Sequence, residues 1–433
     1  MKIAIAGYGR EGEANYAYWS KNPENEVTIV DQKEVPDLPI PEGALTILGA
    51  DAFERLDGFD IVVRTAGLAP HKIRTDGKIW TATNEFFLQC PAPIVGVTGT
   101  KGKGTTSSMI TSILEAAGKK VHLLGNIGTA ALGALDDINA SDIVVFEMSS
   151  FQLWDIERSP HVAVVLGIEP DHLNVHIDME DYVTAKGGIR RFQTADDLCI
   201  YHPLNEYARL IALSNPNAPM RRYGIAADGG AYEQDGHFMV GEHIICSTSV
   251  MQVPGKHNIE NACAAISVAK YLHVSDDDIA RGLESFEGLP HRLERVRELD
   301  GVTYYNDSFS SAPAATVAAI NAFTDPEIVI VGGIDKGSDF TELIGTVAAH
   351  DNVKEVVLIG EYREALKDLF SKNESGTTVT VLDAKTMLEI VEYTRDRAAA
   401  GDIVLLSPGC ASFDMFRDFY DRGDQFRSIV MSL

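Results

Sequence analysis

Short runs of apolar, mostly β-branched residues recur along the chain at Lys2–Ala6, Val27–Asp31, Ile61–Arg64, Ile94–Thr98, Val121–Leu124, Ile143–Glu147 and Val162–Leu166. Each run is continuous rather than alternating, and amphipathic stretches of helical length separate them. Strands buried on both faces of a parallel sheet require this pattern, because helices cover each face. The series resumes at Ile328–Val331, Val356–Ile359, Val379–Leu382 and Ile403–Ser407. Between the two groups, from about Tyr223 to Val253, short strand-like pieces alternate with Gly and Asp turns, which predicts antiparallel pairing. Prolines at Cys90-Pro91-Ala92-Pro93 precede a new strand, and Gly288-Leu289-Pro290-His291-Arg292 precedes the strand Val302–Tyr305, so both read as boundaries. The pattern therefore predicts three α/β domains, at residues 1–90, 91–290 and 291–433. The first and third are expected to be Rossmann-like. The second is expected to be a mostly parallel, P-loop ATPase-like sheet with a small antiparallel part.

Composition narrows the classes. A chain of 433 residues exceeds one ordinary core. The formal net charge of −26 opposes binding to nucleic acid, whose backbone is held by clustered Lys and Arg. No stretch of about twenty apolar residues is present, and the N-terminus runs directly into a strand and a glycine loop, so the reading is cytoplasmic with no membrane partner. The five cysteines stand singly with no C-x-x-C spacing, which implies core residues rather than disulfides or a thiolate metal site. No oligomerisation helix is evident, and a monomer is the expectation.

Two glycine loops carry candidate chemistry. Gly7-Tyr8-Gly9-Arg10-Glu11-Gly12 follows a strand, and Asp31 ends the next one; such glycines bring backbone amides to a phosphate while the acid accepts from a ribose or sugar. Gly96-Val97-Thr98-Gly99-Thr100-Lys101-Gly102-Lys103-Gly104-Thr105-Thr106 opens the second domain. Its Lys103, at a helix start behind glycines, is placed to neutralise β- and γ-phosphates. Val97 and Gly104 depart from the general P-loop pattern, the latter where a Ser or Thr hydroxyl meets the metal. Two such loops on successive domains argue against a dehydrogenase, since hydride transfer has no use for a γ-phosphate clamp. Glu147 ends an apolar strand, and Asp171-His172 follows the next one at the same sheet edge. One carboxylate, one imidazole and ATP oxygens suffice for Mg²⁺, which keeps several waters. His176, in the same loop, reads as an ordinary hydrogen-bonding histidine.

Gly99-Thr100-Lys101-Gly102-Lys103, Gly125-Asn126-Ile127-Gly128, Glu147-Met148-Ser149-Ser150-Phe151-Gln152 and Asp171-His172 with Lys186 downstream resemble the Mur ligase family in order and spacing. The resemblance implies ATP contacts from Gly99 to Thr105, with Asn261, Arg292 and Asp307 also reaching the nucleotide. It implies a UDP-linked substrate held by Gly9, Arg10, Glu11, Asp31, Thr65, Gly67, Asn126, Ser149 and Gln152. Lys103, Glu147, His172 and Lys186 would be catalytic, the last three as Mg²⁺ ligands once Lys186 is carbamylated. Asn258 and Asn261 also fit helix capping.

Ser407-Pro408-Gly409-Cys410-Ala411-Ser412-Phe413-Asp414-Met415-Phe416-Arg417-Asp418-Phe419-Tyr420-Asp421-Arg422-Gly423 is similar to the C-terminal signature of the D-glutamate-adding members. That likeness implies D-glutamate held by Lys336, Ser412, Phe413 and Phe419, and UDP-N-acetylmuramoyl-L-alanine as its co-substrate. Phe413, Phe416 and Phe419 also have the spacing of a helical core face. Two other readings share these features: a family ligase for another amino acid or acceptor, and a catalytically silent nucleotide-sugar binder. Three departures from the family pattern stand out: Phe309-Ser310-Ser311-Ala312 replaces Lys-Ala-Thr-Asn, Arg64-Thr65-Ala66-Gly67 replaces the usual Ser-Pro-Gly, and Lys101 with Gly104 alters the ATP loop.

Overall fold

The computed structural model spans residues 1–433 and describes all of them except 37, 127–130, 227–228, 336 and 373–375. Two compact units divide it, one of residues 1–250 and 257–285, the other of residues 251–256 and 286–433.

The first unit contains three sheets. Strands β1 (Lys2–Ala6), β2 (Glu26–Asp31), β3 (Leu45–Leu48), β4 (Ile61–Arg64) and β5 (Lys78–Thr81) are all parallel in the order β3-β2-β1-β4-β5. Strand order reverses between β1 and β4, the crevice where open α/β sheets bind ligands. Strands β6 (Ile94–Thr98), β7 (Val121–Gly125), β8 (Ile143–Glu147), β9 (Val162–Val165), β10 (Leu198–Tyr201) and β11 (Met220–Arg222) form a second parallel sheet in the order β11-β10-β9-β6-β8-β7. Every residue of β6, β8, β9 and β10 is buried, as continuous apolar runs between helix layers require. Strands β12 (Ala231–Gln234), β13 (His237–Val240) and β14 (His243–Ser247) pair antiparallel, as the turn-rich stretch predicted.

In the second unit, β15 (Glu294–Leu299), β16 (Val302–Asn306), β17 (Glu327–Gly332), β18 (Val353–Ile359), β19 (Thr378–Val381) and β20 (Ile403–Leu406) run in the order β15-β16-β20-β17-β18-β19. Only β15, of these described strands, is antiparallel to its neighbour. Apolar clusters lie on both faces of this sheet, and Phe416 belongs to one of them.

The predicted α/β class holds. Five strands escaped the pattern: β3, β5, β10, β11 and β15. Met220–Arg222 is a sheet edge with two arginines, and Leu45–Leu48 is an edge strand with no fully buried residue, so neither shows a buried-strand signature. Cys199, Cys263 and Cys410 are buried as expected, whereas Cys90 and Cys246 are half-buried. Burial pushes all five thiols up, Cys199 and Cys246 to about 11 and Cys263 and Cys410 to about 12. Among the described residues no helix is long and apolar enough to cross a membrane.

Candidate active site

The loop after β6 is shaped by two glycines, Gly99 at φ 155° and Gly102 at φ 82°. Gly102 caps the helix Lys103–Ala116 in the left-handed region, and a Cβ there would lie 2.5 Å from Oδ1 of Asn261. The first-turn amides of that helix have no partners within it, so its N-terminus is suited to an anion. Loop 167–169, beyond β9, buttresses the turn: Thr100 N–H donates to the Gly167 carbonyl at 2.9 Å, and its hydroxyl donates to the Glu169 carbonyl at 3.0 Å. Thr105 is buried, Gly104 lies in the first helical turn, and the Lys101 ammonium pairs with exposed Glu169 at 3.2 Å.

Two lysines converge on one carbonyl. Lys103 Nζ donates to Gly99 O at 3.2 Å and Thr100 O at 2.9 Å, while Lys186 Nζ donates to the same Gly99 O at 2.8 Å. Lys186 comes from the helix Met179–Arg191 and is only 1% exposed, with Nζ 4.7 Å from the centre of the Tyr182 ring. Burial first, and the Lys103 charge second, hold its pKa well below the ordinary lysine value, against the pull of Asp171 and Glu147. Burial and a neighbouring cation both favour the uncharged amine over the ammonium at this position.

Glu147 ends β8, is 3% exposed and accepts from Asn126 Nδ2 at 2.9 Å. Gly125 makes that approach possible, since a Cβ there would meet the Glu147 carbonyl at 2.2 Å. Gly128, part of the same sequence motif, lies outside the described residues. His172 has φ 54° and an exposed ring 5.0 Å from Phe151. His176 differs in kind: it is buried, bonded to Asp181 at 2.8 Å and Ser150 at 2.9 Å, and stacked on Phe151. Burial is the main cause holding its pKa below the usual histidine value, against the pull of Asp181. Among the described residues no three His, Cys, Asp or Glu side chains cluster as a metal site. Glu147 offers a carboxylate and His172 an imidazole, donor types that Mg²⁺ accepts beside phosphate and water oxygens. Ser149 and Gln152 form a capping box on the helix Ser150–Leu153, with the Gln152 amide oxygen accepting from Ser149 N–H at 2.9 Å.

At the carboxyl edge of the first sheet, Gly9 caps the helix Arg10–Trp19 and Arg10 is exposed. Asp31 accepts from Tyr8 N–H at 2.7 Å, and Glu11 accepts from Ala66 N–H at 2.8 Å. Burial raises the Glu11 pKa. Thr65 donates its hydroxyl to the Ala6 carbonyl at 3.1 Å, and the space around Gly67 is open. These residues surround the β1–β4 crevice.

In the second unit Asp307 follows β16 and is 3% exposed, accepting from Ser310 Oγ, from Ser407 Oγ at 2.7 Å and from Leu293 N–H at 3.1 Å. Burial pushes it up to about 6 despite those donors. Arg292 lies 4.6 Å over the Phe309 ring, which meets Phe419 edge-on at 4.9 Å. Ser412 is buried beside the Ile334–Ala411 bridge. Lys336 lies outside the described residues. Phe413 is exposed and Phe416 is core, but residues 413–418 are turns and bends rather than helix; the helix begins at Phe419, capped by Asp418. The helical spacing of the three phenylalanines was therefore misleading. Sequence reasoning also missed Arg422, which is 1% exposed and donates to Ser308 O at 2.8 Å and Cys410 O at 3.2 Å; its only signal was an arginine inside a long unusual motif.

A glycine-turned anion loop, two lysines on one of its carbonyls and a buried carboxylate at the neighbouring strand end define an α/β enzyme with a phosphate-handling site. The chain belongs to the Mur ligase family: the Mur ligase middle domain matches residues 97–269, and the Mur ligase glutamate ligase domain matches residues 291–410. The UDP-N-acetylmuramoylalanine--D-glutamate ligase of Streptococcus thermophilus is 35% identical over all of this chain and 97% of its own length. The protein of the same name from Acetivibrio thermocellus is 37% identical over 89% of this chain and 85% of its own. The UDP-N-acetylmuramate-alanine ligase of Thermotoga maritima shares the fold with a TM-score of 0.61 at 16% identity, covering 100% of this chain and 99% of that one. The MurF ligase of the same organism, solved with ADP, matches with a TM-score of 0.57 at 18% identity over 87% of this chain and 90% of its own.

Proposed function

We propose that this chain joins D-glutamate to UDP-N-acetylmuramoyl-L-alanine with ATP, as a cytoplasmic monomer supplying peptidoglycan precursor. The likeness to ligases of that name over the whole chain carries the reading. The convergence of Lys103 and Lys186 on Gly99 O supports its chemistry. ATP would phosphorylate the L-alanine carboxylate to give an acyl phosphate and ADP. The D-glutamate amine then attacks that carbonyl, and the tetrahedral intermediate collapses to the amide and inorganic phosphate. Lys103 would leave its carbonyls for the β- and γ-phosphates and offset charge on the transferred group. Lys186, buried and with its pKa held down, is chemically fit to take up CO₂ as a carbamate. As such it would join Glu147 and His172 around Mg²⁺, which when bound neutralises phosphate charge.

The remaining contacts divide by domain. Residues 1–90 would hold the UDP moiety through Gly9, Arg10, Glu11, Asp31, Thr65 and Gly67, with Asn126, Ser149 and Gln152 from the central domain (91–290). That domain would hold ATP from Gly99 to Thr105 and at Asn261. Residues 291–433 would bring Arg292 and Asp307 to ATP, and Lys336, Ser412, Phe413 and Phe419 to D-glutamate. Positioning across these domains supplies much of the rate, and closure keeps water from the acyl phosphate. Phosphate release is measured with UDP-N-acetylmuramoyl-L-alanine, ATP and each candidate amino acid in turn. Release dependent on D-glutamate is expected; release with another amino acid only, or none, overturns the reading.

A further inference from the structure

Arg64, the last residue of β4, has no solvent exposure and makes six hydrogen bonds. Nε and Nη2 hold both carboxylate oxygens of Asp155, at 3.0 and 2.7 Å. Nη1 donates to the carbonyls of Thr65 and Ala66, each at 3.2 Å, and of Leu68 at 2.7 Å; Nη2 also donates to Phe151 O at 2.9 Å. Every guanidinium nitrogen is engaged, so no donor remains for a ligand. Three carbonyl dipoles pointing at one centre repel one another unless a cation sits there. The turn at residues 65–68 is closed by its own bond from Leu68 N–H to the Thr65 carbonyl at 3.0 Å, and the guanidinium adds the cation on which its carbonyls converge.

The bonds join parts of the molecule that sequence keeps apart. Loop 65–68 meets the first glycine loop through Ala66 N–H and the Glu11 carboxylate. Phe151 and Asp155 flank the capping-box residue Gln152, and the Phe151 ring lies 5.0 Å from His172. A planar fork can bind a carboxylate on one side and carbonyls on the other, which an ammonium cannot do at once. We propose that Arg64 is a positioning residue that assembles the UDP-sugar site, fixing the 65–68 loop of the first sheet against the 149–155 segment of the second. The inference rests on the proposed reading of that crevice as the UDP-substrate site.

Three variants and two readouts test it. Amide exchange without ligand probes the coupling itself: in Arg64→Met, exchange rises in both 65–68 and 151–155. Steady-state kinetics then give a selective effect, with KM for UDP-N-acetylmuramoyl-L-alanine up about tenfold or more, while KM for ATP and kcat stay within about threefold of wild type. Arg64→Lys falls between. Asp155→Asn keeps the carbonyl bonds and an acceptor, folds even if Arg64→Met does not, and raises the same KM by a smaller factor. Unchanged exchange in both segments overturns the coupling whatever the enzyme's substrate. Equal rises in every KM, or a fall in kcat alone, overturn the positioning role. A wild-type protein without D-glutamate-dependent turnover refutes the proposed function instead and leaves the exchange result to judge Arg64.

Discussion

Replacing Gly102 with alanine strikes the ATP loop through backbone geometry alone. At φ 82° an L-residue is held in the left-handed region, which costs about 1–2 kcal/mol. The new Cβ would lie 2.5 Å from Asn261 Oδ1, so Asn261 must move. That oxygen accepts from Thr106 Oγ1 at 3.3 Å, and Asn261 Nδ2 donates to Asn258 Oδ1 at 3.3 Å. Disturbing one of these bonds costs about 1 kcal/mol. A total of about 2–3 kcal/mol falls on the loop and the proposed Asn261 contact to ATP together, equivalent to about a 30- to 150-fold loss in kcat/KM for ATP. Phosphate release at varied ATP measures it. Gly118→Ala is the control, because Gly118 ends the same helix at φ 73° with nothing within 4 Å of a Cβ. It should cost about 1–2 kcal/mol of stability with no change in ATP kinetics. If Gly102→Ala keeps kcat/KM for ATP within about threefold of wild type, or Gly118→Ala matches its kinetic loss, the argument from loop geometry fails.

Lys186→Ala is expected to lose nearly all activity and to regain part of it with short carboxylates; full activity without them would exclude a role at the phosphate loop. Glu327, fully buried with one carboxylate oxygen unpartnered, is pushed up to about 8 by burial. Its protonated form suits the fold, so its contribution is complete below about pH 4.5 and is lost as pH rises through 8, on the order of 5 kcal/mol. Glu327→Gln should flatten that fall, and melting curves of variant and wild type running parallel from pH 5 to 9 would contradict it. Gly104→Ser should lower the Mg²⁺ concentration for half-maximal activity and Lys101→Asn should raise it; opposite shifts would leave Lys101 as no more than the surface partner of Glu169.

Where both faces of a strand are buried, composition alone reveals it, and β6, β8, β9 and β17 were legible for that reason. Leu198–Tyr201 is equally buried, but a four-residue apolar run behind Thr194–Asp197 carries too little pattern to tell strand from helix. Site residues at strand ends, such as Asp31 and Glu147, follow from topology. Lys186 does not: nothing in Tyr182–Lys186 reveals that its helix turns the ammonium inward onto Gly99 O, a consequence of packing between distant segments. Arg64 was visible only as an unusual residue. Its meaning depends on Asp155, ninety-one positions away.

The chemistry of the five cysteines makes motion in this protein straightforward to watch. A thiol with a pKa of about 11, like those of Cys199 and Cys246, holds about one thiolate in ten thousand at pH 7. The thiolate is the form that attacks a maleimide, so an introduced surface cysteine reacts far ahead of these native thiols. Lys119→Cys on the first compact unit and Glu392→Cys on the second, both exposed positions, therefore accept a donor and an acceptor dye with no native cysteine removed. Energy transfer between them, followed as ATP and then the UDP-linked substrate are added, tests the proposed closure in the otherwise native sequence.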